Sequence, residues 1–210
     1  MSSSSTLRWG DRSPGDVREA RDRVLDAAER CLADDGYQRV TMEAIAAEAK
    51  ISRATLYRYF EDKESLFGAV VDALVSDVIQ ALADRPYSLE DRLHDLALRY
   101  ALLLSDPVVV GLIRAVVADT QNQSGFRDRL ALHGSEIFAN EFDAEITELL
   151  TERNPHEAAN ALQASIELRG AIEHITLLPE LLFHEHPPKG ELEAMVERTL
   201  ESWRTRWLSR

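Results

Sequence analysis

The sequence predicts an all-α protein of about nine helices, arranged as a small N-terminal domain and a larger C-terminal one. Three observations carry that expectation. Apolar residues recur at three- and four-residue spacing along most of the chain, the period-2 alternation of strands is absent, and proline, glycine and short polar clusters fall between the periodic stretches. The 210 residues suffice for one or two domains with a substantial core, and a 45% hydrophobic fraction is ordinary for such a chain.

The first helix is predicted over 16–35. Val24, Leu25, Ala28, Cys31 and Leu32 share one face, and Gly36 is placed to end the helix in a left-handed conformation. A second, short helix begins at Thr41, a good N-cap, and carries Ile45, Ala46 and Ala49 inward; a third begins at Ser52 and carries Leu56 and Phe60. A fourth starts near Asp62 with Leu66, Val70, Ala73, Leu74 and Ile79 as its stripe. It stops before Arg85 and Pro86, since a residue preceding proline disfavours the helical region. Helices over 88–104, 108–119 and 126–152 follow, separated by Ser105, Asp106 and Pro107 and by the polar stretch 121–125. Pro155 suits the first turn of a helix that runs to Leu178 and stops at Pro179, and a last helix covers 191–208. Residues 1–15, rich in serine, are expected to form a disordered arm, 16–79 the N-terminal domain and 80–210 the C-terminal domain.

Several function classes are disfavoured by composition. No apolar run approaches the ~18 residues that cross a bilayer, and the N-terminus lacks an apolar signal core, so a cytoplasmic protein with no membrane partner is expected. The single cysteine, Cys31, excludes an internal disulfide and a multi-cysteine metal site, and its place on the apolar face reads as a buried structural thiol. His184, Glu185 and His186 resemble a short metal-ligand cluster but sit in a proline-rich stretch without cysteines; they read as a solvated loop, and neither metal nor other cofactor is expected. No nucleophile elbow, phosphate loop, zinc motif or glycine-rich dinucleotide turn is present, so an enzyme is not expected. The net charge of −13 argues against a nucleic-acid partner until it is divided by region. Residues 1–66 hold 11 of the 24 basic and 13 of the 37 acidic residues, so the acidity sits in the remainder, while 50–63 is locally basic through Lys50, Arg53, Arg58 and Lys63.

The informative stretch is 41–60. It reads as two short helices joined by a turn of three residues, Ala49, Lys50 and Ile51, whose inward residues are small or branched and let the helices cross closely: a helix-turn-helix. In such units the second helix enters the major groove of double-stranded DNA. Its outer face here carries Arg53, Ala54, Tyr57 and Arg58. Arginine can take guanine O6 and N7 together, and small residues allow close approach. Hydroxyls on Thr41, Ser52, Thr55, Tyr57 and Tyr59, the helix N-termini, and Lys63 at the start of the fourth helix are candidates for phosphate. Tyr57 and Tyr59 can equally serve the core, and Arg53 and Arg58 can be ordinary solvated charges.

With those residues in view, the chain resembles the tetracycline-repressor (TetR/AcrR) family. The resemblance covers about 17–77 and rests on Thr41 with Ile45 and Ala46, on the run from Ile51 through Ser52, Arg53, Ala54, Thr55, Leu56, Tyr57, Arg58 and Tyr59 to Phe60, and on Asp62, Lys63, Glu64 and Leu66. Ala27, Ala28, Gly36 and Tyr37 fit as well. One departure is Lys50, where similar proteins usually have glycine. A lysine there must bear a left-handed or bridging conformation and brings a cation close to DNA.

The resemblance implies a homodimer that reads a pseudo-palindromic operator and is released from it by a small-molecule effector bound in the C-terminal domain. A dimeric ligand-binding or protein-interaction module that no longer reads DNA is the alternative. Tyr100, Arg114, Phe126, His133, Phe138 and Phe142 are candidate pocket residues, Arg114 because a charge between apolar runs needs a partner or an anionic ligand. Leu162, Ile166, Ile172, Met195, Leu200, Trp203 and Trp207 are candidates for the dimer interface, with core packing inside one subunit as the competing role.

Overall fold

The computed structural model describes residues 14–83, 88–118, 136–183 and 188–209. Among them are nine α-helices and no strand: α1 (Pro14–Asp35), α2 (Met42–Glu48), α3 (Arg53–Tyr59), α4 (Lys63–Ala83), α5 (Leu89–Leu104), α6 (Pro107–Ala118), α7 (Glu136–Arg153), α8 (Ala161–Phe183) and α9 (Lys189–Trp207), with one 3-10 turn at Ala158–Asn160. They divide into two compact units that meet between Val70 and Val71, inside α4.

In the N-terminal unit α1 packs on α2 and α2 on α3. Its core is Val24, Leu25, Ala27, Ala28 and Leu32 of α1, Ile45 and Ala46 of α2 with its C-cap Ala49, Leu56 of α3 with its C-cap Phe60, and Leu66, Phe67 and Val70 of α4. Gly36 ends α1 at φ 72, its N–H donating to the Leu32 carbonyl. Cys31 is only half-buried. Desolvation, then the nearby Glu48, Asp35 and Asp34 carboxylates, push its thiol above the ordinary range, which disfavours the thiolate.

The C-terminal unit is organised around α8, which packs against α5, α6, α7 and α9. Buried residues along α9 fall at Leu192, Val196, Leu200, Trp203 and Trp207, a spacing of three and four that presents one stripe to its neighbours. Ser88 caps α5, accepting from the Asp91 N–H. Pro107 occupies the first position of α6, where its missing N–H costs nothing, while Asp106 Oδ1 accepts from the Val108 N–H at 2.8 Å.

The structure departs from sequence expectation on α8. Pro155 does not begin it: 155–160 form a turn and the 3-10 segment, and the helix starts at Ala161. Nor does Pro179 end it. The helix runs one further turn to Phe183, and that turn is tied from outside: Arg114 Nη2 donates to the Glu180 carbonyl at 2.6 Å and to Glu180 Oε1 at 3.1 Å. The Glu180 carbonyl is among the last four of the helix, which have no intrahelical donor, so a buried anchor there offsets the bond that proline removes. The expected start of α7 at 126, the stretch 121–125 and residues 184–187 lie outside the described residues.

Asn154 closes the unit. It is buried, and its Nδ2 donates at 2.9 Å to the carbonyl of Trp207 at the end of α9. Asn154→Ala strands that buried carbonyl and is expected to cost about 1–2 kcal/mol, read as a lower urea midpoint at unchanged slope.

Candidate nucleic-acid interface

Helix α2 is capped by Thr41, whose side chain accepts from the Ala44 N–H, and α3 by Ser52, whose side chain accepts from the Thr55 N–H. Between them the chain turns through Lys50 at φ 56, the one positive-φ residue other than glycine among those described. The Lys50 N–H donates to the Ala47 carbonyl at 3.1 Å and the Ile51 N–H to the Ala46 carbonyl at 3.0 Å. These two bonds form a Schellman ending, in which the residue after the cap must be left-handed. The turn therefore needs the conformation that glycine adopts without cost, and lysine adopts it here. Ala46 and Ala49 are small and buried, which lets α3 cross α2 closely.

The outer face of α3 is open. Arg53, Ala54, Tyr57 and Arg58 are all exposed. Leu56 and Phe60 hold the inner face. Tyr59 is half-buried with its ring 6.4 Å from that of Phe60, so it shares in packing. The hydroxyls of Ser52 and Thr55 lie 2.8 Å apart and bond each other. One of their two protons is thereby engaged, leaving a single O–H of the pair for an external acceptor. Thr41 and Lys50 are exposed beside them. Arg53 does not stand alone: its Nη2 donates to Glu43 Oε1 in the first turn of α2.

Lys63 is placed differently from the expectation of a phosphate clamp. Its ammonium turns inward, donating to the Tyr37 carbonyl at 2.7 Å and the Val40 carbonyl at 3.1 Å, and lies 4.2 Å from the centre of the Tyr37 ring. Two of the three ammonium protons go to these carbonyls, and the ring face lies beside the charge. Burial lowers its pKa below the ordinary lysine range. Its work is to tie the α1–α2 loop to the start of α4, where Tyr37 also meets Phe67 edge-on at 5.4 Å.

Residues 24–70 match the family model for bacterial regulatory proteins of the tetR family. Over this segment the chain is similar to tetR-family regulators. The transcriptional activator FasR of Mycolicibacterium smegmatis is 43% identical over 79 residues, 36% of this chain and 35% of that protein. The regulator HbdR of Aromatoleum is 35% identical over 66 residues, 31% of this chain and 29% of that protein. The matches thus span about a third of these relatives. The whole fold is shared more widely. A TetR-family regulator from Mesorhizobium loti superposes with a TM-score of 0.71 at 22% identity, covering 94% of this chain and 100% of that one. The Bacillus subtilis regulator FadR, solved with stearoyl-CoA, gives 0.67 at 18% identity over 87% and 96%.

The C-terminal unit brings some expected pocket residues together. Tyr100, Phe138 and Phe142 are buried in one cluster, with the Tyr100 ring 4.9 Å from Phe138 and 5.5 Å from Phe142. The Tyr100 hydroxyl donates to Glu173 Oε1 at 2.7 Å; burial first, then the Glu173 charge, raises its pKa far above the ordinary tyrosine value. Arg114 has an internal partner in Glu180, which answers the need for a counter-charge without a ligand. Phe126 and His133 lie outside the described residues.

Four of the expected interface residues are spent inside the subunit. Ile172, Leu200, Trp203 and Trp207 are buried; Trp203 Nε1 donates to the Ala164 carbonyl at 2.8 Å and Trp207 Nε1 to Glu167 Oε2 at 3.1 Å. Leu162 and Ile166, by contrast, are 60% and 48% exposed, and Met195 is half-buried in a shallow groove of about 500 Å³ between α8 and α9.

Sequence reading passed over Glu43. Its only signal is an acidic residue inside the stretch taken to face DNA, where an unpaired carboxylate would repel phosphate. Lys50→Gly removes about 1 kcal/mol of left-handed strain and returns roughly half of it through the freer unfolded chain. A net gain of about 0.5 kcal/mol is expected in urea denaturation. If Lys50 also touches phosphate, the same variant lowers the salt slope of DNA binding by about 0.9.

Proposed function

We propose that this chain is a cytoplasmic, dimeric DNA-binding regulator, most simply a repressor that a small-molecule effector releases from a pseudo-palindromic operator. One observation carries the reading: two short, side-chain-capped helices locked by a tight turn present Arg53, Ala54, Tyr57 and Arg58 on an open face. An α-helix with that face fits the major groove, where arginine distinguishes guanine and the free N–H groups of helix N-termini favour phosphate. The acidic remainder of the chain would oppose indiscriminate adhesion and confine contact to this basic surface.

A second subunit supplies the second half-site. The exposed Leu162 and Ile166, one turn apart on α8, support a self-association face, since adjacent apolar side chains are costly to leave in water. Effector control requires an effector that binds one arrangement of the dimer better than the other. The aromatic cluster of Tyr100, Phe138 and Phe142 is the proposed floor of its site. FasR, a relative of the N-terminal segment, is named an activator, so the sign of the output rests on where the operator lies.

Two measurements test the reading. A gel shift with the DNA upstream of the protein's own gene is expected to show sequence-selective, salt-sensitive binding, lost about tenfold or more in Arg53→Ala; no selective binding with or without candidate effectors would sink it. Leu162→Asp with Ile166→Asp is expected to yield folded monomers in sedimentation, because both side chains are exposed in the subunit. Dimers that persist would place the interface elsewhere.

A further inference from the structure

Arg53 is the first residue of α3, where a cation faces the positive end of the helix dipole. The structure offsets this with Glu43, ten residues back in the first turn of α2, whose carboxylate accepts from the Arg53 guanidinium. The two side chains are 64% and 45% exposed, so the pair does little for stability. It lies on the open side of the motif, beside Ala54 and Tyr57. An ion pair with little stability value, placed where the DNA would sit, calls for another role.

We propose that Glu43 is a specificity-determining positioning residue that acts through Arg53. This rests on the DNA-reading function proposed above. A free arginine at the edge of the groove swings to whichever phosphate is nearest, and that contact carries no sequence information. A guanidinium tethered to Glu43 gives up one of its five N–H donors and loses that freedom; its remaining donors are presented in a fixed plane, as the paired acceptors O6 and N7 of guanine require. The carboxylate also cancels the charge that Arg53 would otherwise lend to non-specific attraction. Glu43 thus lowers the affinity for any DNA and raises the preference for one base pair.

The test uses the full chain and a site selected from random duplex DNA. Wild type, Glu43→Ala, Glu43→Gln, Arg53→Ala and the double variant Glu43→Ala with Arg53→Ala are compared, with thermal melts to confirm that each folds. In Glu43→Ala the preference at one base pair is expected to fall about tenfold, while affinity for unrelated DNA rises and the salt slope steepens by about one. Glu43→Gln, which keeps an acceptor, retains part of the preference. In the Arg53→Ala background, removing Glu43 changes the preference no further. Full preference in Glu43→Ala overturns the proposal, as does a loss of equal size with and without Arg53, which would mean that Glu43 meets the base itself. Wild type that selects no site sinks the DNA-reading function, and this proposal with it. Selective wild type with an unaffected Glu43→Ala sinks the proposal alone.

Discussion

The left-handed backbone at Lys50 is the constraint on which the surface of the N-terminal unit depends. The chain must leave α2, reverse and begin α3 within four residues, and it does so by sending the N–H groups of Lys50 and Ile51 back to the carbonyls of Ala47 and Ala46. That ending fixes the crossing of the two helices. The crossing in turn brings the first turn of α3 beside the first turn of α2, where Arg53 meets Glu43. Small residues at Ala46 and Ala49 make the approach possible, and the caps at Thr41 and Ser52 fix where each helix starts.

In the C-terminal unit the organising part is α8, and several polar groups along it are met by residues from the helices around it. Tyr100 of α5 donates to Glu173, Arg114 of α6 holds Glu180, and Trp203 and Trp207 of α9 donate to Ala164 and Glu167. Helices α5, α6 and α9 are each tied to a defined point on α8 by a directional bond as well as by apolar burial. Apolar contact alone fixes the register of two helices weakly, because neighbouring turns look alike; a buried donor with one acceptor does not allow that slip.

Lys63, Arg114 and the two tryptophans share a feature. Each has a side chain for which sequence alone leaves a surface or site role open, and each has a polar group bonded inside the unit that holds it. The desolvation of a cation or an indole N–H is costly without a partner and modest with one, so the decisive fact is whether the fold brings an acceptor within about 3 Å. Carbonyls of the α1–α2 loop serve Lys63, and the end of α8 serves Arg114.

The all-α class, the helix-turn-helix with its two caps, and the strained lysine in the turn are legible in the amino-acid order. All of these rest on local rules: apolar spacing within one helix, a hydroxyl three residues before an N–H, a backbone angle set by two neighbouring bonds. Only the tertiary structure decided what the long side chains do. Pro179 reads as a helix end because proline lacks an N–H, yet α8 continues past it, since Arg114, 65 residues earlier in the chain, anchors the following turn. The one local sign at Glu43 is its acidic charge inside the stretch that faces DNA, and Lys63 reads locally as a surface cation. Their partners come from other helices and loops, and spacing along the chain carries no information about an acceptor that arrives only when the helices cross.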